Sequence, residues 1–487
     1  MVTPATQILP EKLPMWIGGQ QVHTSNSAPN LNPSDIAAIL PQAYRGDGSH
    51  VRSAVHAAQD ALQAWSKTTS EFRHDILLRA ATEILATRDR LGVLLASEEG
   101  KTLREATAEV VRAGRIFQYF AAEAVRNCGA SIDSVRPQIS TEIRREPVGV
   151  VGIIAPWNFP IAIPAWKIAP ALAFGNTVVF KPAEYVPATA WALVDILHRA
   201  GLPSGVLNLV FGRGSEVGQA MLETSDINAI SFTGSQAVGG MVAKACAQHS
   251  RKFQLEMGGK NPLIVLDDAD LDRAVSSAID GAFFSTGQRC TASSRLIVTE
   301  TIYGQFIERC LERIRGLNTG HALEDNTDIG PVVSQSQLDG ILAAVDIARQ
   351  QGGNIRSDGN SISSNSQGHF LSPILITDTT PDMTINRDEV FGPVASVIRV
   401  RDYDEALSVA NDTAFGLCAG ICTQSLKHAS HFKENAKVGM VMVNLPTAGV
   451  DYHVPFGGTK ASSMGAREQG PAAREFYTQM KTAYTFA

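Results

Sequence analysis

The sequence predicts an α/β fold: two doubly wound parallel-sheet domains and a small β element outside them. Three observations predict it. Short β-branched runs alternate with helical segments between about residues 148 and 248, the alternation restarts near residue 261, and two segments far apart alternate like exposed strands. Parallel strands need long crossovers, so strand–helix alternation implies parallel sheets.

From about residue 50 to 125 the pattern is helical, with apolar positions three and four apart in "VRSAVHAAQDALQAWSK" and "HDILLRAATEILATRDRLGVLLASEEGK". Residues 131–147, "SIDSVRPQISTEIRREP", alternate instead and read as an exposed hairpin. The first α/β series follows. "GVVGIIAP" precedes a helix around 164–174, "TVVFKP" one at 187–200, "VLNLVF" one at 215–223 and "AISFTG" one at 237–248. The second series runs from "NPLIVL" (261–266) through "SRLIVT", a helix at 301–316, "ASVIRV" and "GMVMVN", with the junction near 256–262. The Gly/Ser/Asn-rich stretch 352–369 reads as a surface loop. The terminal "REFYTQMKTAYTF" alternates as a strand and needs a partner edge, for which the 131–147 hairpin, in the same or a neighbouring subunit, is the candidate.

Composition narrows the class. With 487 residues, 44% hydrophobic and 18% charged, the chain is an ordinary globular protein of two or three domains. A net charge of -6 leaves no basic face for nucleic acid. Six scattered cysteines form no disulfide framework, no His/Cys cluster completes a metal site, and the usage suits a reducing compartment. The N-terminus lacks a signal-peptide pattern. The apolar stretch 148–180 is broken by Pro156, Pro160, Pro164 and Pro170 and contains Asn158 and Lys167, so it reads as strand, loop, helix and strand, not a membrane span. A cytoplasmic protein is expected.

Several residues carry possible chemistry. "SFTGSQAVGG" sets Gly234 and Ser235 at a strand-to-helix turn, where free N–H groups suit pyrophosphate; "FGRGSEVG" only approximates a dinucleotide fingerprint. Alone, either turn is more commonly structural. Lys181 and Glu184 follow a buried strand, placed to bond ribose or phosphate oxygens, and a carboxylate there favours NAD by repelling a 2′-phosphate. Glu256 precedes a Gly-Gly turn as a candidate base, and Asn158, between two prolines, is a candidate oxyanion donor. Cys290 in "STGQRCTAS" lacks the apolar stripe around filler cysteines and is the candidate nucleophile.

In this order, "PWNFP", "FKPAE", "FTGS", "LEMGGKNP", "GQRCTA", "DEVFGPV", "NDTAFGL" and "PFGGTKASSMG" resemble the aldehyde dehydrogenase superfamily. The resemblance implies NAD(P)-dependent oxidation of an aldehyde to an acid, with Cys290, Glu256, Asn158 and Lys181 as catalytic set. It implies cofactor contacts at Ile154, Pro156, Trp157, Lys181, Ala183, Glu184, Gly212, Gly218, Phe232, Gly234, Ser235, Gly258, Glu389 and Phe391. NAD is the expected cofactor, and NADP remains admissible because a mobile Glu184 can swing away. Glu468 matches a proton-relay position. Met257 and Val390 replace a leucine and an isoleucine usual in the family, apolar swaps of similar size. The family architecture implies a cofactor domain of 1–123 and 147–258, a catalytic domain of 259–466, and an oligomerisation element of 124–146 and 467–487, hence a homodimer or homotetramer.

For the substrate, "GVDYHVPFGG" resembles bacterial 2-oxoglutarate semialdehyde (2,5-dioxopentanoate) dehydrogenases and implies conversion of that aldehyde to 2-oxoglutarate. The expected pocket comprises Phe159, Trp166, Arg289, Thr291, Val450, His453 and Phe456. A carboxylate-bearing substrate wants a cationic partner, for which His453, Arg289 or backbone N–H groups are candidates. Trp166 stands where succinic semialdehyde enzymes often carry arginine, which counts against that substrate and leaves aromatic or medium-chain aldehydes open. A cysteine esterase or thioesterase would not use Lys181 and Glu184, and a non-catalytic binding protein would not need Cys290 and Glu256.

Overall fold

The computed structural model describes residues 9–356 and 366–486. Helices Gly48–Ser66, Ser70–Ala86, Arg88–Glu99 and Leu103–Ala124 occupy the region of three- and four-residue apolar spacing. Asp47, Thr69 and Thr102 cap three of them, accepting otherwise unpaired first-turn N–H groups. On Leu103–Ala124 the buried positions Ala106, Val110, Ala113, Phe117, Phe120 and Ala124 form one stripe, packed on helices Ser70–Ala86 and Ala162–Ala173.

The first sheet has eight strands in the order Ser463–Gly465, Lys252–Glu256, Ala229–Thr233, Val150–Ile154, Thr177–Lys181, Leu207–Leu209, Met15–Ile17 and Gln20–Val22. The five central strands are parallel; Val150–Ile154 is wholly apolar and Thr177–Lys181 is apolar but for its ends, as burial on both faces requires, while Lys252–Glu256 is mostly polar. Their crossover helices, Ala162–Ala173, Pro187–Arg199, Gln219–Glu223 and Gln236–Gln248, lie close to the expected spans; the third opens with a wide turn at Gly214–Gly218. The apolar run 148–180 is strand, loop, helix and strand, and no helix among the described residues is long and apolar enough to cross a membrane.

The second sheet runs Asn354–Ile355, Ile374–Thr379, Val394–Val400, Arg295–Thr299, Pro262–Val265, Cys418–Cys422 and Met440–Val443, all parallel but the first pair. "CAGIC" is thus a buried central strand. The predicted loop 352–369 begins with a strand at Asn354–Ile355, and residues 357–365 of it lie outside the described residues. Residues 1–8 of the N-terminal segment do so too.

Two further features were not anticipated. Six strands of two or three residues between Lys12 and Tyr44 are too short to display alternation, and the five-residue Asp35–Ile39 does not alternate in sequence. Ser463–Gly465 also crosses back to the first sheet and pairs antiparallel with Lys252–Glu256, setting Ser463 opposite Glu256. A third sheet places Ile139–Pro147 between Ala130–Asp133 and Thr478–Phe486, so the terminal strand finds its edge within its own chain.

Candidate active site

Between the two large sheets, helix Leu271–Phe283 ends in a tight turn at Phe284–Gly287 that delivers Cys290. Ser285 (φ 51°) and Thr286 (φ 56°) are left-handed before Gly287 (φ 64°), a conformation costing about 1–3 kcal/mol for each non-glycine residue. The surroundings hold it. Glu105 accepts from the Ser285 N–H at 2.7 Å, Thr286 Oγ1 donates to the Gly330 carbonyl at 3.0 Å, and Gln288 Oε1 accepts the Val333 N–H at 3.0 Å. Asn261 Nδ2 donates to the carbonyls of Cys290 (2.8 Å) and Ala292 (2.9 Å), pinning the chain beyond the turn. Cys290 itself is half-buried. Burial, then the carboxylates of Glu389, Glu256 and Glu468, push its thiol up to about 12, so a base must take its proton.

Asn158 is buried in the loop after Val150–Ile154. One amide hydrogen of Nδ2 goes to the Gln288 carbonyl at 2.9 Å. Its second, and the Cys290 backbone N–H, are taken by no other residue among those described. Lys101 Nζ donates to the Asn158 carbonyl at 2.7 Å and to Glu109 Oε2 at 2.7 Å. Glu109 Oε1 in turn accepts from the N–H groups of Ile161 and Ala162, each at 3.1 Å, at the start of helix Ala162–Ala173. That helix has no side-chain cap of its own, so Glu109 supplies one.

Glu256 ends strand Lys252–Glu256 with its carboxylate buried. Ser463 Oγ donates to its Oε2 at 2.5 Å, while Oε1 is buried without a partner. A Cβ on Gly457 would come within 2.5 Å of Oε1, and Gly457 has φ +142°, a backbone conformation that favours glycine. Burial and the neighbouring Glu468 charge hold the Glu256 carboxyl well above the ordinary carboxylate range, against Ser463, Lys167 and Arg467. Glu468 bonds Lys167, which also donates to Ser231 Oγ at 2.8 Å. The lysine inside the apolar run is thereby explained: a buried ammonium requires a carboxylate.

A cavity of about 560 Å³ opens onto Cys290. Phe159, Trp166, Arg289, Thr291, Val450 and Phe456, six of the seven expected pocket residues, line it. His453 does not: Tyr452 turns inward against Tyr119, ring centroids 6.3 Å apart, and leaves His453 exposed. Arg289 lines the cavity, but its guanidinium bonds the Asp280 carbonyl and lies 3.6 Å from the Asp280 carboxylate. Arg112, which no motif marked, lines the same cavity from helix Leu103–Ala124.

The remaining candidates gather at the carboxyl ends of the first sheet's strands. Ile154 and Lys181 end adjacent strands and pair with each other. Lys181 is buried, its Nζ bonded among the described residues only to the neighbouring Pro182 carbonyl at 3.0 Å, and burial lowers its pKa. Its contacts are with this cleft, including the nearby Glu184 charge, and not with Cys290, Glu256 or Asn158. Ala183 is half-buried beside the exposed Glu184, whose Oε1 accepts the Gly214 N–H at 3.2 Å. Gly218 faces Lys181, a Cβ there meeting Lys181 Cδ at 4.0 Å. Gly212 (φ +146°) belongs to the turn itself, against Val217 and Gly46. Phe232 packs under Gly234, and Ser235 caps helix Gln236–Gln248. Pro156 and Trp157 are half-buried, with Trp157 and Phe391 edge to face at 5.4 Å. Glu389 fills the space a Gly258 Cβ would take; it accepts the Gly259 N–H at 2.8 Å, and burial raises it to about 7. A helix N-terminus, an under-bonded buried ammonium, a carboxylate and the partnerless buried hydroxyl of Thr233 suit a nucleotide with ribose and pyrophosphate.

Comparison with known proteins agrees with this geometry. The chain is 42% identical over 455 residues to an alpha-ketoglutaric semialdehyde dehydrogenase of Bacillus subtilis, covering 93% of each chain. It is 39% identical over 458 residues to a 2,5-dioxopentanoate dehydrogenase of Saccharolobus solfataricus, covering 93% of this chain and 95% of that one. The structure of betaine aldehyde dehydrogenase from Staphylococcus aureus in complex with NAD+ superposes with a TM-score of 0.94 at 33% identity, covering 97% of this chain and 95% of that one. With a cysteine presented between two α/β sheets and the aldehyde dehydrogenase family model matching residues 20–483, the chain belongs to the aldehyde dehydrogenase family.

Proposed function

We propose that this protein oxidises 2-oxoglutarate semialdehyde to 2-oxoglutarate, with NAD as the preferred cofactor, through a thioester on Cys290. The observation that carries it is Cys290 lining a cavity of about 560 Å³, with the spare Asn158 amide hydrogen on a side chain bonded to the Gln288 carbonyl and the buried Glu256 near enough for its charge to raise the thiol. The similarity to two enzymes named for this substrate supports the choice of aldehyde.

Glu256 takes the thiol proton, and the Cys290 sulfur bonds the aldehyde carbon. The Asn158 amide and the Cys290 N–H hold the oxygen that becomes negative, the largest single contribution in sites of this kind. A nicotinamide dinucleotide held in the cleft would supply the hydride acceptor. After giving up that first proton, Glu256 takes one from water, whose oxygen attacks the thioester carbon as the Cys290 thiolate leaves. Glu468, bonded to Lys167, relays the Glu256 proton outward. Lys181 and Glu184 hold the adenine-side ribose, Gly234 and Ser235 the pyrophosphate, and Glu389 and Phe391 the nicotinamide end. The third sheet joins subunits into a homodimer or homotetramer, and the three-part division expected above describes the working units.

Absorbance at 340 nm tests the reading. With NAD, kcat/KM for 2-oxoglutarate semialdehyde exceeds those for succinic semialdehyde, benzaldehyde and aliphatic aldehydes, and exceeds the value with NADP. No NAD(P)H with any aldehyde would defeat it, as would full activity in Cys290→Ala.

A further inference from the structure

Three arginines reach the aldehyde cavity, and their circumstances differ. Arg289 is committed to Asp280. Arg104 is exposed, 6.0 Å above the Phe284 ring. Arg112 is half-buried two turns further along the same helix, on the face that lines the cavity. Its guanidinium carbon is 5.6 Å from the Trp166 ring. Among the described residues its only hydrogen bond is a long one, 3.4 Å from Nη2 to Gln469 Oε1, and no carboxylate pairs with it within 4.0 Å.

A guanidinium has five N–H donors in a fork matched to a carboxylate, so most of this one's capacity is unused. A partly desolvated cation without a counter-ion is costly unless an anion arrives. Burial lowers its proton affinity, while the more distant Glu109 and Asp451, and the Cys290 sulfur, sustain its charge. Gln469 is equally unusual. It is fully buried with φ 60°, and its Nε2 has no partner. Backbone strain of this kind persists where surroundings enforce it, often at a site that positions a ligand. Here it directs an amide oxygen to Arg112.

We propose that Arg112 binds the carboxylate of an aldehyde-acid substrate, with Gln469 orienting the guanidinium and Trp166 lying against it. The aldehyde end meets Cys290, and the methylene groups between lie along Phe159 and Phe456. The substrate class is thus a short chain with an aldehyde at one end and a carboxylate at the other. This assignment rests on the reading of Cys290 as the aldehyde-binding nucleophile.

The test compares kcat/KM for 2-oxoglutarate semialdehyde with that for pentanal, an uncharged aldehyde of the same carbon count. In Arg112→Met the ratio of the two falls at least about 100-fold through a raised KM for the oxo-acid. Arg112→Lys retains an intermediate ratio. Turnover of pentanal by the variant shows that its site is assembled. An equal loss for both substrates, or an unchanged ratio, overturns the assignment. A second measurement needs no turnover: glutarate raises the melting temperature of the wild-type protein and not of Arg112→Met. The absence of any glutarate shift in the wild type also overturns it. A wild-type enzyme that is inactive with every aldehyde, yet shows the Arg112-dependent glutarate shift, upholds the anion site and defeats the dehydrogenase reading instead.

Discussion

At the scale of single residues, the site sets a thiol that resists ionisation beside an amide ready to receive charge. Asn158→Ala removes one of the two proposed oxyanion donors, and kcat falls about 100- to 1000-fold while KM changes little, as steady-state kinetics will show. The thiol itself gives a second prediction. Burial first, and Glu389 next, raise Cys290 to about 12, whereas Glu389 is raised only to about 7. Without cofactor, the alkylation of Cys290 by iodoacetamide therefore climbs about tenfold per pH unit from about pH 7 to 10, because the thiolate fraction does. At about pH 9 Glu389 is ionised and opposes a second negative charge. Glu389→Gln removes that opposition, lowers the thiol pKa and speeds alkylation severalfold, read by mass spectrometry of the Cys290 peptide. Turnover has a pH limb of its own: Glu256, raised by burial and by Glu468, must lose its proton to act, so kcat/KM rises with pH above the ordinary carboxylate range. As candidates, Cys290, Glu256 and Asn158 were legible in the sequence because each sits in a short motif whose glycines or prolines mark a turn. Arg112 and Gln469 were not. A polar residue on one face of an amphipathic helix looks like a solvated surface until the fold sets that face against a cavity.

At the scale of elements, the helix Leu103–Ala124 and the preceding turn hold the loop that carries Asn158. Glu109 caps helix Ala162–Ala173 and pairs with Lys101, which holds the Asn158 carbonyl and lies 3.9 Å from the Phe159 ring. Both partners are almost completely buried. Burial lowers the Lys101 pKa, but Glu109 and Glu99 outweigh it, and the net shift is upward. Glu109→Ala leaves a buried ammonium without its nearest partner and costs about 3–5 kcal/mol in a denaturant titration. It also loosens Asn158, so kcat falls with stability. Adding Lys101→Met recovers part of the stability by removing the stranded charge and none of the activity, a separation that mere unfolding would not produce. Long elements such as this helix were legible through their apolar stripe. Ser463–Gly465 was not, since three residues carry no period, yet it supplies the hydroxyl that bonds Glu256.

At the scale of the whole molecule, the third sheet stands apart from the two packed ones because only part of it is covered. Its strand alternation was legible, and so was the need for a partner edge; which chain would provide the edge was not, because pairing within and between chains draws on the same pattern. With Thr478–Phe486 paired to Ile139–Pro147 in its own chain, the register settles the faces. Tyr484 stands opposite Thr141, and Thr141 opposite Ile132, so these share one face with Met480, Phe486, Ile139 and Ile143, and with Arg145, which Glu475 neutralises at the end of the sheet. The other face carries Glu142, Arg144, Glu146 and Lys481. On the apolar face, Met480 is 66% exposed, Tyr484 62%, Phe486 72% and Ile132 52%, an arrangement a lone chain in water does not favour. A second copy is the occupant that the sheet's own construction supports, since it presents two unpaired edges and an apolar face in one place. Light scattering on a sizing column should find a dimer or tetramer for the wild type. Met480→Glu with Tyr484→Glu places two charges on that face and shifts the species to the monomer at micromolar concentration, whereas Lys481→Glu, on the opposite face, leaves the assembly intact. A monomeric wild type, or a double variant that stays assembled, would assign the contact to another surface.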